Sequence, residues 1–312
     1  MIYPKLGYDI LNTYQEVTML VQKKLFDDSK NFVVKPFKIQ LLKWIGNKQR
    51  FAHEITSYFP TNFKRYFEPF LGSGAVLGTL APKIGLGSDV FQPLMQIWHT
   101  LHNNPEKLKE WYSERWNFIY NVGKEEGYEK IKTSYNDKPN GPDLLFLCRA
   151  CYGGVVRFRK TDGYMSTPCG VHDPISPDSF ANRVEIWHKR INGVNFLELP
   201  FEESMNMARK GDLIYCDPPY RHSQGILYRG QEFNFEKLLQ MIEICKKRGV
   251  FVALSIDGTK KSGCVVCDIP IPNGLFEQEI YVNCGRSMLK RFQMEGKTLE
   301  REIVSDRLLL TY

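Results

Sequence analysis

The stretch that decides the fold reads Gly211-Asp212-Leu213-Ile214-Tyr215-Cys216-Asp217-Pro218-Pro219-Tyr220. Leu213 to Cys216 is a short apolar run entered through a Gly-Asp turn signal, and it predicts a buried strand. Asp217 would then lie at the carboxyl end of this strand, where open α/β sheets place their functional sites. A turn without further function would also suit these residues, because Asp and Pro favour turns.

The end of this stretch suits chemistry on an amino group attached to a heteroaromatic ring. Such a nitrogen is a poor nucleophile, because its lone pair is delocalised, and it needs acceptors for its hydrogens. Asp217 supplies a carboxylate, and Pro218 supplies a backbone carbonyl whose direction two prolines restrict. Tyr220 supplies a ring on which an extruded base can stack. Asp217, Pro218 and Tyr220 are therefore the candidate catalytic residues.

A second motif, Phe70-Leu71-Gly72-Ser73-Gly74, lies where a predicted short strand turns into a helix. Glycines at such a turn let a ligand approach the backbone amides of a helix N-terminus. Asp89 ends the next predicted strand. It follows the glycine motif by about twenty residues, the sequence spacing at which a carboxylate can bind ribose hydroxyls. Upstream, Trp44 and Lys48 can contact the ring and the carboxylate of a cofactor. A tight turn, a helix N-cap and a core tryptophan would also explain these residues taken singly.

Strands alternate with helices on both sides of residues 102–194, which predicts a doubly wound α/β domain interrupted by an insertion. We expect an N-terminal arm at 1–35, a catalytic domain formed by 36–101 and 195–312, and a mainly helical recognition domain at 102–194. Within the insertion, apolar segments flank an Asp-Gly turn and predict a β-hairpin. Basic and aromatic side chains that suit phosphate and base contacts cluster there, although an exposed charged hairpin is the alternative: Arg149, Arg157, Arg159, Lys160 and Tyr164.

The composition bounds the class of protein. A chain of 312 residues with 43% apolar residues can bury a core, and a net charge of +7 suits a polyanionic partner without proving one. No apolar run is long enough for a membrane span, and no secretory signal is visible, so we expect a cytoplasmic protein. The pairs Cys148/Cys151 and Cys264/Cys267 have the spacing of half a zinc site, but no His pair accompanies them. We expect reduced thiols and no metal.

Taken together, these motifs resemble the Dam family of DNA adenine methyltransferases, the D12 class of alpha type. In that family the cofactor motif comes first, the recognition region follows, and the Asp-Pro-Pro-Tyr motif comes last. The segments that carry the resemblance are Pro36–Phe37 with Leu42–Lys48, Phe67–Gly74, Gly87–Asp89 with Leu94, and Gly211–Tyr220. The likeness covers nearly the whole chain from Pro36, and it implies a Rossmann-like class I methyltransferase fold.

The resemblance also implies a cofactor, a substrate and roles for individual residues. S-adenosylmethionine would be bound by Trp44, Lys48, Phe70, Gly72, Gly74, Asp89 and Asp217. Asp217, Pro218 and Tyr220 would hold an adenine flipped out of double-stranded DNA, and the methyl group would pass directly to its N6 amino group. Residues 152–170 are similar to the family's DNA-contacting hairpin, but Gly153 and Arg159 stand where asparagines are commoner. The recognition sequence is therefore not implied.

Several alternatives stay open at this point. Transfer to the N4 amino group of cytosine uses the same geometry, although a Ser-Pro-Pro-Tyr motif is more typical of it. RNA or a protein glutamine could be the acceptor, and a non-catalytic DNA-binding relative would belong to a different class. The intact Asp217 and Tyr220 argue against the last of these. We expect a monomer that acts either alone or beside a cognate restriction endonuclease.

Overall fold

The computed structural model describes residues 34–159, 161–219, 233–260, 265–266, 271–286 and 303–312. Nearly all of the expected N-terminal arm lies outside these residues. Lys160 and Tyr220, two of the predicted site residues, also lie outside them, as do Cys264 and Cys267.

A mixed sheet forms the centre of the fold. Its strands are β1 (Tyr66–Glu68), β2 (Gly85–Asp89), β3 (Val194–Glu198), β4 (Leu213–Cys216), β5 (Phe251–Lys260), β6 (Val265–Val266), β7 (Gln278–Arg286) and β8 (Ile303–Leu310). They are arranged in the order β3-β2-β1-β4-β5-β8-β7, and β6 pairs with β5. The first five strands of this order are parallel, whereas β8 runs antiparallel to both β5 and β7. The α/β class is confirmed, and the antiparallel pair at the C-terminus is a feature that sequence patterns did not predict.

Nine α-helices surround the sheet within the described ranges. They are α1 (Ala52–Ser57), α2 (Ala75–Leu80), α3 (Gln92–Asn103), α4 (Pro105–Val122), α5 (Lys124–Asp137), α6 (Gly141–Ala150), α7 (Pro177–Arg190), α8 (Phe201–Asn206) and α9 (Phe235–Lys247). Side chains cap the start of four of them, each contributing about 1 kcal/mol: Asn104, Asn140, Ser176 and Asn234. The connection between α5 and α6 is short, because the Asn140 cap and Pro142 start α6 directly after it.

The two faces of the sheet bury two apolar clusters. On one face, Trp98 of α3 packs against Phe196 of β3 and Trp187 of α7. The same cluster continues into α4 and α6, so the core of the insertion's helices is continuous with the core on this face of the sheet. The opposite face is covered by α8 and α9. The separate recognition domain at 102–194 therefore stays a prediction, since its core is continuous with that of the sheet.

The expected hairpin doubles back at a turn over residues 161–163, but its pairing is irregular. Two isolated antiparallel bridges join Cys151 with Cys169 and Phe158 with Met165. Gly153 and Gly154 have φ angles of 64° and 66°, which interrupt the extended backbone between the two bridges. In the part of the chain that the structure describes, no helix has the length and apolar composition needed to cross a membrane.

Candidate active site

A cleft open to solvent lies above the carboxyl ends of β1 and β4. The strand order reverses between these two strands, and such a switch point is where α/β sheets form ligand sites. The cleft is lined by both polar and apolar side chains. Glu68 and Tyr215 line the cleft and were not predicted. Six predicted residues line it as well: Trp44, Lys48, Phe70, Gly72, Asp217 and Pro218.

The glycine loop takes its shape from two tryptophans. Gly72 has a φ of 47°, and a Cβ placed on it would lie 3.3 Å from the indole of Trp44. Gly74 has a φ of 60° and forms the N-cap of α2, where a Cβ would lie 2.8 Å from the ring of Trp98. The Trp98 Nε1 also donates to the Gly72 carbonyl at 3.1 Å. Gly72 therefore forms part of the cleft wall, whereas Gly74 packs against the core behind it.

The Asp89 carboxylate stabilises this loop through hydrogen bonds to its backbone. Its two carboxylate oxygens accept hydrogen bonds from the amides of Gly72, at 3.2 Å, and Phe91, at 3.1 Å. Burial raises the pKa of Asp89 to about 6, while these backbone donors oppose the shift. The carboxylate thus links the glycine loop to the start of α3. A contact between Asp89 and ribose hydroxyls stays a prediction, because its side chain binds backbone amides here.

Lys48 joins three distant parts of the chain. Its ammonium lies 2.8 Å from Oδ1 of Asp217 and 3.5 Å from Oδ2 of Asp306, and it donates to the Gly46 carbonyl at 3.3 Å. Lys48 is only 4% exposed. The predicted Lys48 and Asp217 therefore do meet in the cleft, as an ion pair. Asp306, on β8, is a residue that sequence reasoning missed.

Glu68 places a second carboxyl group beside Asp217. It ends β1, is buried, and accepts a hydrogen bond from the Tyr66 hydroxyl at 2.6 Å. Burial is the main cause that raises the pKa of Glu68 to about 8, and the negative charge of Asp217 adds to the shift. Glu68 is therefore mainly neutral at pH 7, and Asp217 is the carboxyl group of the cleft that pairs with Lys48.

The predicted hairpin is anchored close to the cleft. Phe158 is buried and packs edge-on against Phe91, whose ring centroid lies 6.1 Å from that of Trp44. Arg159 is exposed, and its guanidinium lies 4.2 Å from the centroid of the Tyr164 ring. The apolar side of the hairpin thus faces Phe91 and, through it, Trp44, while the Arg159 and Tyr164 side chains reach the surface.

Arg149 does not belong to that surface. Its guanidinium is buried and donates to the carbonyls of Gln40 and Leu41, at 3.2 and 2.8 Å. Burial lowers the pKa of this guanidinium. The prediction that Arg149 contacts DNA is therefore corrected, because the side chain holds the segment before Trp44 instead of pointing to solvent.

The thiols near the hairpin are free. Cys148 and Cys151 are buried, and burial raises the pKa of both thiols. Among the residues that the structure describes, no group of three or more His, Cys, Asp and Glu side chains is arranged to hold a metal ion.

Comparisons with known proteins point in one direction. The family model for the D12 class N6 adenine-specific DNA methyltransferases matches residues 44–266. The DNA N-6-adenine-methyltransferase of Escherichia phage P1 is 27% identical over 252 residues, which cover 76% of this chain but only 32% of the phage protein. The type II methyltransferase M1.LlaDCHI of Lactococcus lactis subsp. cremoris is 24% identical, over 68% of this chain and 79% of that protein. The type II methyltransferase M.MjaIII of Methanocaldococcus jannaschii is 28% identical, over 71% and 84%.

Proposed function

Because this chain belongs to the D12 class N6 adenine-specific DNA methyltransferase family, we propose that it transfers a methyl group from S-adenosylmethionine to the N6 amino group of an adenine flipped out of duplex DNA. One observation carries the proposal. The glycine loop and the pair Asp217 and Pro218 open into the same cleft, so a donor and an acceptor amino group can meet there.

The residues of the cleft suit S-adenosylmethionine. Trp44 and Phe70 offer aromatic faces for a purine ring, and the Gly72 loop allows close approach to the backbone. Asp217 lines the cleft and supplies a carboxylate, which suits a ligand with positive charge. When bound, S-adenosylmethionine supplies an electrophilic methyl group on a sulfonium sulfur.

The chain's own contribution is orientation and hydrogen-bond acceptance. Asp217 and the Pro218 carbonyl accept the two hydrogens of the amino group, which favours pyramidal nitrogen with its lone pair directed away from the ring. Lys48 fixes one oxygen of the Asp217 carboxylate, so this acceptor is oriented before the base arrives. Because Asp217 accepts one of these hydrogens, its carboxylate can also receive the proton that the amino nitrogen must lose. No covalent bond to the enzyme is needed.

We assign the DNA contacts to the hairpin. Arg157, Arg159 and Tyr164 combine positive charge with an aromatic ring, which suits phosphates and base edges. Lys160 and Tyr220 keep their predicted roles in DNA contact and base stacking. A companion restriction endonuclease is consistent with the type II relatives, and a monomer stays our expectation.

The direct test is product analysis. The purified chain is incubated with unmethylated plasmid DNA and S-adenosylmethionine, and the DNA is digested to nucleosides for mass spectrometry. We expect N6-methyladenine and no excess of N4-methylcytosine. The Asp217→Ala variant should lose at least about a hundredfold in transfer while still binding DNA. N4-methylcytosine as the main product would refute the substrate, and full activity of the variant would refute the role of Asp217.

A further inference from the structure

The buried lysine of the cleft uses its donors on the protein itself. An ammonium group has three hydrogens, and the Lys48 ammonium lies close to three acceptors on three segments: Asp217 at 2.8 Å, Asp306 at 3.5 Å and the Gly46 carbonyl at 3.3 Å. With its side chain 5% exposed, the lysine is enclosed by these partners. A lysine in this arrangement can hold the carboxylates of Asp217 and Asp306 in position.

We propose that Asp306 is a positioning residue for methyl transfer, which anchors the Lys48 ammonium so that Lys48 holds the Asp217 carboxylate in its working orientation. This inference rests on the proposed function. It concerns a residue outside positions 44–266, the part of the chain that the family model matches.

Asp306 is well placed to act as an anchor. It lies on β8, where the backbone pairs with β5 on one side and with β7 on the other, opposite Asp257 and Val282. Lys48 lies in an irregular segment, and Asp217 follows the end of β4. A carboxylate on a strand paired on both sides is held more firmly than one on a loop, and functional side chains need such rigid support.

The charge of the network gives Asp306 a second effect. The Asp306 and Asp217 side chains are 11% and 19% exposed, so water screens their interaction with Lys48 only in part. With two carboxylates, the ammonium is shared, and Asp217 keeps more of its negative charge for the amino hydrogen. Without Asp306, Lys48 would lose this carboxylate partner and pair more strongly with Asp217, which weakens that acceptor and frees the lysine to move.

The expected result is a loss in kcat with little change in cofactor affinity. Asp306→Asn should lower kcat by about tenfold, because a small misplacement of a reacting group costs up to about a hundredfold. The Kd for S-adenosylmethionine, measured by calorimetry, should stay within about threefold of wild type. A general loss of structure would instead weaken cofactor binding together with kcat.

A double-mutant cycle tests the route through Lys48. The variants are Asp306→Asn, Lys48→Met and the pair, assayed for methyl transfer to plasmid DNA at saturating cofactor. If Asp306 acts through Lys48, adding Asp306→Asn to Lys48→Met should change kcat by less than about twofold. Glu279→Gln is the matched control, since it removes an acid from β7 that pairs with Arg307 on the same sheet. Its kcat should equal that of wild type.

Asp306→Glu separates charge from folding. It retains the carboxylate and should keep kcat above that of Asp306→Asn. Its kcat can be measured even if the asparagine variant does not fold. The inference is overturned if Asp306→Asn matches wild type, if its effect is equally large without Lys48, or if the glutamate variant is no better than the asparagine variant. A wild-type protein that transfers no methyl group would refute the proposed function itself.

Discussion

Replacing Gly74 by alanine should destabilise the fold through a collision with one tryptophan. The new Cβ would lie 2.8 and 2.9 Å from two carbons of the Trp98 ring. That ring cannot move aside easily, because it is fully buried, stacks on Phe196 with centroids 5.5 Å apart, and donates to the Gly72 carbonyl. Overpacking of this kind costs about 1–3 kcal/mol. The left-handed φ of 60° adds about 1–2 kcal/mol for a residue with a Cβ.

Gly46 provides the matched control. It has a φ of 74°, but no atom lies within 4 Å of a Cβ placed there. Gly46→Ala should therefore cost only the backbone term, about 1–2 kcal/mol. Urea unfolding followed by circular dichroism measures the free energy of unfolding of each variant. We expect Gly74→Ala to be less stable than Gly46→Ala by about 1–3 kcal/mol. Equal stability of the two variants would refute the packing of Trp98 against the glycine loop.

Three further predictions concern the hairpin, Glu68 and Arg149. Neutralising Arg157 and Arg159 should reduce the slope of log DNA affinity against log salt by roughly one for each lost phosphate contact. Cofactor affinity should not change. An unaltered slope would contradict the DNA contact. The pKa of Glu68 is raised to about 8 in the fold, so the folded state holds a proton that the unfolded chain releases, and stability should fall as pH rises from the ordinary glutamate range towards 8. Glu68→Gln should show a smaller fall in the free energy of unfolding, measured by urea unfolding across pH. A variant with the same pH dependence as wild type would contradict the raised pKa of Glu68. Arg149→Gln should lower the melting temperature and leave the salt slope of DNA binding unchanged, which is the reverse of the pattern for a surface arginine.

The parts of the fold that sequence patterns predicted well are those with local signals. The strand Leu213–Cys216 is an unbroken apolar run, and the helix after Gly74 follows a glycine turn. Their alternation predicts a parallel sheet, and the carboxyl ends of parallel strands meet at one edge. Phe70, Gly72 and Asp217 follow two neighbouring parallel strands, and they accordingly line one cleft.

Asp306 had no such signal. It reaches Lys48 because β8 inserts antiparallel between β5 and β7, and this long-range pairing leaves no local pattern around a single aspartate. Arg149 was misplaced for a related reason. Basic and aromatic residues interleave near it, but every residue of α6 except Pro142 is buried, so its arginine points into the protein. Apolar residues on all sides of a helix indicate burial of its charged members too.

Arg149 and Lys48 are two buried cations whose partners differ, and so do the consequences of losing them. Arg149 binds carbonyl groups of a neighbouring segment, so its loss should be felt in stability. Lys48 instead binds carboxylates, one of which is the proposed acceptor for the substrate's amino group. A cation that is shared between two acids can set how much negative charge each of them retains. For that reason we expect the acid at 306 to affect the rate of methyl transfer more than the affinity for the methyl donor.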